Sequence, residues 1–316
     1  MKAVVYDRYG GADRLKLSTI AASEPRAGEL RVRVSACAVN LSDWEYLTGS
    51  PFYTRLIGGL FRPRVPVLGS DIVGVVDQLG AGVSGFEVGQ RIMGDFVMSR
   101  RGFAEYACVP AEAAAVAPDA LTDDIAACLP QAGGIAVSGT ENLRKGMRLL
   151  INGAGGGSGT MALQLAKASG AHVTAVDNET KTDWLKSLGA DDVIDYRKTD
   201  FADSGERWDR ILDMVATRGP GTVAKVLNPG GTYQAVGGSV PVLLALLAGG
   251  WLRRKSYSIG VLAVQSGREL TERVARLAVE GRLNPHVEDV VPLSAVPEML
   301  ARTGQGMVRG KIVVRP

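Results

Sequence analysis

The feature that most constrains this chain is a glycine run between a predicted strand and a predicted helix. The apolar stretch Met147–Ile151 leads into Asn152-Gly-Ala-Gly-Gly-Gly-Ser-Gly159, and Thr160–Gly170 has helical periodicity and ends on a glycine. Three residues have the spacing Gly-x-Gly-x-x-Gly of dinucleotide-binding loops, with alanine in the first place: Ala154, Gly156 and Gly159. Such a loop turns tightly and lets a pyrophosphate approach bare backbone and the N–H groups of a helix start.

The residues after the next predicted strand bear on the choice of dinucleotide. Asp177 ends that strand, where a carboxylate would accept hydrogen bonds from the ribose hydroxyls of NAD(H). Lys181 follows on the next turn and would attract the 2′-phosphate of NADP(H). Both cofactors stay open, and the carboxylate favours NAD(H). The predicted contacts to this half of the cofactor are Ala154, Gly156, Gly157, Ser158, Gly159, Asp177, Asn178 and Lys181.

The pattern of apolar residues changes twice along the chain. Residues 1–120 contain short strands separated by Gly and Pro turns, and residues 121–260 alternate buried strands with amphipathic helices. Residues 261–316 return to short pieces of strand and helix that we expect to rejoin the first domain. The predicted fold class is α/β, with a mostly-β domain into which a doubly wound parallel-sheet domain is inserted.

Composition excludes several classes of protein. Lys and Arg number 36 against 33 Asp and Glu, and the basic residues are scattered, so nothing indicates nucleic-acid binding. The longest apolar run, Pro241–Leu252, is too short to span a bilayer and is predicted to be a buried or dimer-facing helix. Three separated cysteines fit a reducing compartment. We therefore expect a cytoplasmic protein without a membrane partner.

Seven stretches, in order and along nearly the whole chain, resemble the medium-chain dehydrogenase/reductase superfamily and its zinc-free quinone oxidoreductase branch, which includes zeta-crystallin. They are Val39–Trp44, Pro66–Val76, Gly102–Tyr106, Leu129–Gly133, the glycine loop, Leu188–Tyr196 and Gly230–Gly238. The resemblance implies a GroES-like substrate domain, a Rossmann domain, a nicotinamide bound between them, and a homodimer that pairs Ser256–Val264. It also implies further cofactor contacts at Tyr196, Val215, Gly237 and Val261.

The same comparison argues against zinc. Asn40 stands where zinc relatives have their first cysteine ligand, Ser70 stands at the second ligand, and the third falls near Gln131. No cysteine cluster for a structural zinc is present, and neither His172 nor His286 lies near a Cys or another His in the sequence. We expect no metal.

Four residues of one segment are candidates for handling the substrate, all from the resemblance. Asn40 would donate its amide to the substrate oxygen or hold the nicotinamide ribose, and Ser42 matches a proton-relay hydroxyl of zinc relatives. Tyr46 and Tyr53 would offer a phenolic proton, although packing is the commoner role of such tyrosines.

Without a Lewis acid, hydride addition to a quinone or activated alkene is favoured over alcohol oxidation. The leading hypothesis is therefore a zinc-independent NAD(P)H-dependent reductase of quinones or α,β-unsaturated carbonyls. One alternative is an enoyl reductase of a secondary-metabolite or fatty-acyl pathway, in which Pro51–Pro63 would face an acyl chain and Arg55, Arg62 and Arg64 an anionic carrier. Another is a dinucleotide-binding protein with little catalysis, such as a redox sensor or a crystallin.

Overall fold

The structure is a computed structural model that describes all residues from Met1 to Pro316. Contacts between residues divide the chain into two units, one of Met1–Gly134 with Gln265–Pro316 and one of Ile135–Val264. The first boundary lies later than the expected 120/121, because the helix Asp123–Cys128 packs on strands of the first unit. The second lies at 264/265 instead of 260/261.

Fifteen strands and ten helices follow one another along the chain. From Met1 they are β1 Lys2–Val5, β2 Lys16–Thr19, β3 Glu29–Ala38, α1 Leu41–Thr48, α2 Tyr53–Gly58, β4 Asp71–Leu79, β5 Arg91–Asp95, β6 Tyr106–Pro110, β7 Ala115–Val116, α3 Asp123–Cys128 and α4 Pro130–Thr140. The middle of the chain contains β8 Arg148–Asn152, α5 Gly157–Ala168, β9 His172–Asp177, α6 Thr182–Ser187, β10 Asp192–Asp195, β11 Trp208–Asp213, α7 Pro220–Lys225, β12 Leu227–Ala235, α8 Val240–Arg253 and β13 Ser258–Val261. The last part contains α9 Arg268–Val279, β14 Val287–Pro292, α10 Val296–Gly304 and β15 Lys311–Arg315.

The first unit is built on a mixed seven-stranded sheet. Its order is β14-β15-β3-β4-β5-β7, and β6 also pairs with β3. All neighbours are antiparallel except β14 and β15. In β3 the side chains of Leu30, Val32 and Val34 alternate into the core, as the period-2 pattern predicts. The C-terminal strand β15 pairs with β3, so the last part of the chain adds a strand to this sheet.

The second unit contains a parallel six-stranded sheet in the order β10-β9-β8-β11-β12-β13. The strand order reverses between β8 and β11, so this is a doubly wound sheet, and the predicted α/β class is confirmed. In such a sheet the carboxyl ends of all strands meet at one edge, and ligands bind at the point of reversal.

Helix α8, which the sequence predicts to be buried or dimer-facing, buries one face and exposes the other. Leu246, Gly249 and Gly250 are buried, Gly249 against Pro220 of α7 and Gly250 against Ile259 of β13, whereas Leu244, Trp251 and Leu252 are exposed. The run has no polar residue before Arg253, so its hydrophobicity did not reveal which face is exposed. No helix in the structure combines the length and apolar character needed to cross a membrane.

Candidate functional site

The glycine loop turns directly from β8 into α5. Gly153 has φ +86°, and the N–H groups of Gly153 and Ala154 donate to Val176 O at 3.0 and 3.1 Å, which ties the loop to β9. Helix α5 begins at Gly157, with Gly156 before it, rather than at the predicted Thr160. The pattern missed this first turn because glycine is a poor helix former. The N-terminus of the helix therefore lies inside the glycine run, as anion binding requires.

Two glycines of the loop differ in what surrounds them. A Cβ atom at Gly159 would lie 2.4 Å from Gly153 O and 2.5 Å from Ala154 O, so the helix packs on the loop only without a side chain there. A Cβ atom at Gly156 would meet nothing closer than Gly153 O at 3.6 Å, an ordinary contact. Packing within the protein therefore requires glycine at position 159. At position 156 the protein has room for a side chain, so its own packing does not explain the glycine there. The cradle fits a pyrophosphate.

All predicted cofactor contacts lie at the carboxyl edge of the parallel sheet. They follow or end the six strands in turn: the glycine loop with Gly157 and Ser158 after β8, Asp177 and Asn178 at β9, Tyr196 after β10, Val215 after β11, Gly237 after β12, and Val261 at the end of β13. Tyr196, Val215 and Val261 are exposed there, and Gly237 turns with φ +77°. The residues present at this edge suit an extended dinucleotide.

Asp177 and Lys181, which the sequence offered to NAD(H) and NADP(H) respectively, form an ion pair with each other in the structure. Both side chains are buried, and Lys181 Nζ lies 3.3 Å from Asp177 Oδ1. Asp177 Oδ2 also accepts from the Gly155 N–H at 2.8 Å, and its Oδ1 accepts from the backbone and side-chain amides of Asn178 at 2.9 and 3.1 Å. The carboxylate thus holds the glycine loop in place, and it neutralises the lysine that the sequence offered to a phosphate.

Sequence reasoning missed a buried carboxylate at the point of strand reversal. Asp213 ends β11; its Oδ1 accepts from Asn152 Nδ2 at 2.7 Å and from the N–H groups of Val215 and Ala216 at 2.9 and 2.8 Å. Tyr233 O–H donates to its Oδ2 at 2.8 Å. Asp213 therefore links the ends of β8, β11 and β12. An aspartate at the end of an apolar strand, and an asparagine directly before the glycine loop, were the available clues.

The first unit brings Asn40 into a buried polar cluster. Asn40 precedes α1, and its Nδ2 donates to Ser70 Oγ at 3.1 Å. Lys311 of β15 is also buried; its Nζ donates to Val39 O at 3.0 Å and to Asn40 Oδ1. Because Oδ1 faces an ammonium, the amide is oriented with its N–H groups away from the lysine.

Ser42 and Gln131 join the same cluster from α1 and α4. Ser42 Oγ donates to Gln131 Oε1 at 2.9 Å, and the Gln131 backbone N–H donates to Asp71 at 3.1 Å. Burial raises the pKa of Asp71 well above its ordinary value and the nearby Asp95 carboxylate adds to this, while Lys311, 3.9 Å away, opposes it. Sequence reasoning did not identify Lys311, Asp71 or Asp95 as parts of this site.

The cluster does not fit a zinc ion. The residues at the three expected ligand positions are Asn40, Ser70 and Gln131, which offer neutral amide and hydroxyl groups where zinc takes thiolate and imidazole. The Lys311 ammonium would also repel a dication. No three His, Cys, Asp or Glu side chains are grouped to hold a metal anywhere in the structure.

The two tyrosine candidates lie farther along α1 and on α2. Tyr46 is buried beneath the Arg100 guanidinium, 3.9 Å from the ring centroid. Tyr53 begins α2, and burial with the charge of Glu45 raises its pKa to about 12, so it is a poor proton donor. Burial alone raises the pKa of Glu45 itself to about 7. Glu45 is a titratable group that sequence reasoning did not single out.

Comparisons with known proteins agree with this arrangement. Residues 26–119 match the family model described as alcohol dehydrogenase GroES-like domain, and residues 188–314 match the one described as zinc-binding dehydrogenase. The chloroplastic quinone-oxidoreductase QR1 of Triphysaria versicolor is 30% identical over 100% of this chain and 98% of its own. The 2-methylene-furan-3-one reductase of Solanum lycopersicum is also 30% identical, over 100% of this chain and 79% of its own.

Among solved structures, the quinone oxidoreductase from Coxiella burnetii superposes with a TM-score of 0.89 at 26% identity, covering 100% of this chain and 99% of that one. The similarity therefore extends over the glycine loop, the parallel sheet and the mixed sheet together. The chain belongs to the medium-chain dehydrogenase/reductase superfamily, in its quinone oxidoreductase branch, and is an NAD(P)H oxidoreductase.

Proposed function

We propose that this enzyme reduces quinones or α,β-unsaturated carbonyl compounds without zinc. The observation that carries the proposal is the polar cluster in which Asn40 and Ser70 stand at two of the expected ligand positions and the Lys311 ammonium orients the Asn40 amide. These groups suit hydrogen bonding to a carbonyl oxygen and do not suit a Lewis acid. The names of the tomato and Triphysaria relatives, a furanone reductase and a quinone oxidoreductase, point to the same substrate classes.

In the proposed mechanism a reduced nicotinamide, when bound, supplies the hydride. The chain binds its phosphates at the glycine loop and the start of α5. The Asn40 amide, oriented by Lys311, donates an N–H to the acceptor's carbonyl oxygen and stabilises the negative charge that develops there. Ser42, hydrogen-bonded to Gln131, lies two residues away and would relay the proton that completes the reduction.

An enoyl reductase remains the second candidate function. Exposed apolar residues follow Tyr53 on α2, and they suit an acyl chain better than a small ring compound. The chemistry is the same hydride addition, so the two candidates differ only in what the acceptor carries.

We propose that NAD(H) is the preferred cofactor. The support is the buried pair of Asp177 and Lys181, in which the carboxylate neutralises the lysine charge within the protein, so that this charge is not offered to a 2′-phosphate.

The proposed function is tested by following nicotinamide absorbance with NADH and NADPH against a panel of quinones and enones, with a metal chelator present throughout. We expect oxidation that depends on the acceptor and is unchanged by the chelator, with NADH the better donor. Activity that the chelator abolishes and zinc restores would contradict the proposal. Asn40→Leu is expected to lower kcat for the acceptor while leaving the dissociation constant of the dinucleotide unchanged.

We also propose a homodimer that forms along β13. This strand is the outermost of its sheet, so one side of its backbone has no neighbouring strand. Helix α8 packs beside it and exposes Leu244, Trp251 and Leu252. Light scattering should give the mass of a dimer, and a monomer at micromolar concentration would refute this assembly.

A further inference from the structure

An exposed apolar patch lies on α2 and the turn that follows it. Five large side chains form this patch, and Phe61 is 86% and Leu56 60% exposed: Phe52, Leu56, Ile57, Leu60 and Phe61. Scattered exposed apolar residues are ordinary on a protein surface, but five within ten consecutive residues are not. The patch thus offers several large apolar side chains to something outside the chain.

The patch itself contains a single charged residue, and the exposed residues Arg62 and Arg64 follow it. Arg55 is the one charged residue between Phe52 and Phe61. Its guanidinium lies over the ring of Tyr9, 4.8 Å from the centroid, and its Nε donates to Gly49 O at 3.0 Å. The arginine is therefore engaged with other parts of the first unit.

The segment that carries the patch is anchored to the rest of the unit. Tyr9 O–H donates to Gly59 O, and Thr54 Oγ1 donates to Pro51 O at 2.8 Å and to Glu45 O at 3.3 Å. Gly58 packs so closely on Tyr46 that a Cβ atom there would lie 3.1 Å from its ring. The exposed side chains therefore stand on a well-held scaffold, which a binding surface requires.

The helix that carries the patch packs on α1, which begins beside the candidate substrate residues Asn40 and Ser42. Ser42 and Tyr46 are one turn apart on the same face of α1, about 6 Å along the helix axis. Tyr46 contacts Gly58 of α2, and α2 carries the patch. A carbonyl compound held at Asn40 and Ser42 would therefore lie against α1, the helix on which α2 packs.

We propose that the patch binds a long apolar tail carried by the compound whose carbonyl is reduced. The proposal rests on the proposed function and adds to it the substrate class, which is a tailed quinone or a long-chain enal rather than a small ring compound. An apolar chain gains by leaving water on this surface, and its binding needs no charged partner.

The test compares matched pairs of acceptors on the wild-type enzyme and the double variant Leu56→Ser/Phe61→Ser. The pairs are benzoquinone with decylbenzoquinone, and 2-hexenal with 2-dodecenal. We expect kcat/KM for at least one tailed acceptor to fall about tenfold, mostly through KM, and the values for the tail-less partners to stay within about twofold. Because both residues are exposed, the fold should be unaffected. The control Val88→Ser/Met98→Ser removes equally exposed apolar groups elsewhere in the first unit and should change neither pair.

The quinone pair and the enal pair together show which class of compound carries the tail. Selective loss on decylbenzoquinone alone indicates quinones, and selective loss on 2-dodecenal alone indicates fatty-acyl compounds. Equal losses on tailed and tail-less acceptors, or no loss on any, would overturn the proposal. So would a variant whose tail selectivity is intact but whose dimerisation or binding to lipid vesicles is lost.

A binding measurement separates this inference from the proposed function. Calorimetric titration of decylbenzoquinone into the wild-type enzyme and the double variant needs no turnover. If no acceptor is reduced but the variant still binds decylbenzoquinone about tenfold more weakly, the proposed reaction fails and the tail site stands. Equal binding by both proteins, whatever the activity, refutes the tail site.

Discussion

Replacing two glycines of the dinucleotide loop by alanine should have different effects. In Gly159→Ala the added methyl would lie 2.4 to 2.6 Å from backbone atoms of Gly153 and Ala154, about 1 Å inside ordinary contact. Neither backbone can rotate away like a flexible side chain, so the loop and the start of α5 must separate. Overpacking of this kind costs about 1–3 kcal/mol. We expect the free energy of unfolding to fall by that amount and the dissociation constant of NAD(P)H to rise at least tenfold.

Gly156→Ala is the matched change that leaves the protein intact. Gly156 has φ −86°, which alanine adopts easily, and its Cβ would meet only an ordinary contact at 3.6 Å. Alanine is a weaker residue than glycine before a helix, so stability should change by less than about 1 kcal/mol. Binding should nevertheless weaken about tenfold or more, because the methyl would stand where the pyrophosphate approaches the backbone.

Urea unfolding and fluorescence titration with NADH and NADPH measure the two effects separately. The reasoning predicts that Gly159→Ala loses both stability and binding, whereas Gly156→Ala loses binding alone. A Gly156→Ala protein that binds both dinucleotides with wild-type affinity would refute the assignment of the loop to the pyrophosphate.

Three further changes follow from the buried groups. Burial raises the pKa of Glu45 from 4.5 to about 7, so the folded protein holds this proton more tightly and loses stability as the pH rises through that window. Glu45→Gln should therefore raise the free energy of unfolding by about 1–3 kcal/mol at pH 8 and leave it nearly unchanged at pH 4, and equal effects at both pH values in urea unfolding would contradict this. Asp213→Leu leaves the four groups that donate to Asp213 without an acceptor and should cost at least about 3 kcal/mol. Asp213→Asn keeps one oxygen, which can accept from three of the four donors, and should cost less; thermal unfolding that ranks the two variants the other way would disprove the network. Asp177→Asn removes the charge that neutralises Lys181, so the ratio of KM for NADH to KM for NADPH should increase severalfold, and an unchanged ratio would mean that the pair does not govern the choice.

The fold could be predicted because local patterns specify it. Period-2 alternation predicts β3, and the glycine run predicts the turn from β8 to α5. Both signals are local and do not depend on distant parts of the chain. The carboxyl edge of the sheet then follows, since parallel strands all end there. Predicted contacts as distant in sequence as Tyr196 and Val261 are brought to this edge by topology alone.

Side-chain pairings could not be predicted, because they join residues far apart in the sequence. Lys311 orients Asn40 across 271 positions, and Tyr233 reaches Asp213 from another strand. Nothing in the local sequence of Lys311 distinguishes it from a solvated lysine. The resemblance identified Asn40 and Ser42 as candidates. Only the structure shows that the Lys311 ammonium lies against Asn40 Oδ1 and so orients the amide N–H groups.

The direct test of the central claim is to follow the hydride itself. NADH with deuterium at both C4 positions is incubated with an enone and with enzyme that has been treated with a chelator, and the product is analysed by mass spectrometry and NMR. The account predicts one deuterium at the β-carbon of the saturated product, at a rate that added zinc does not change. A product without the label, or transfer that appears only when zinc is added, would contradict metal-free hydride reduction by this enzyme.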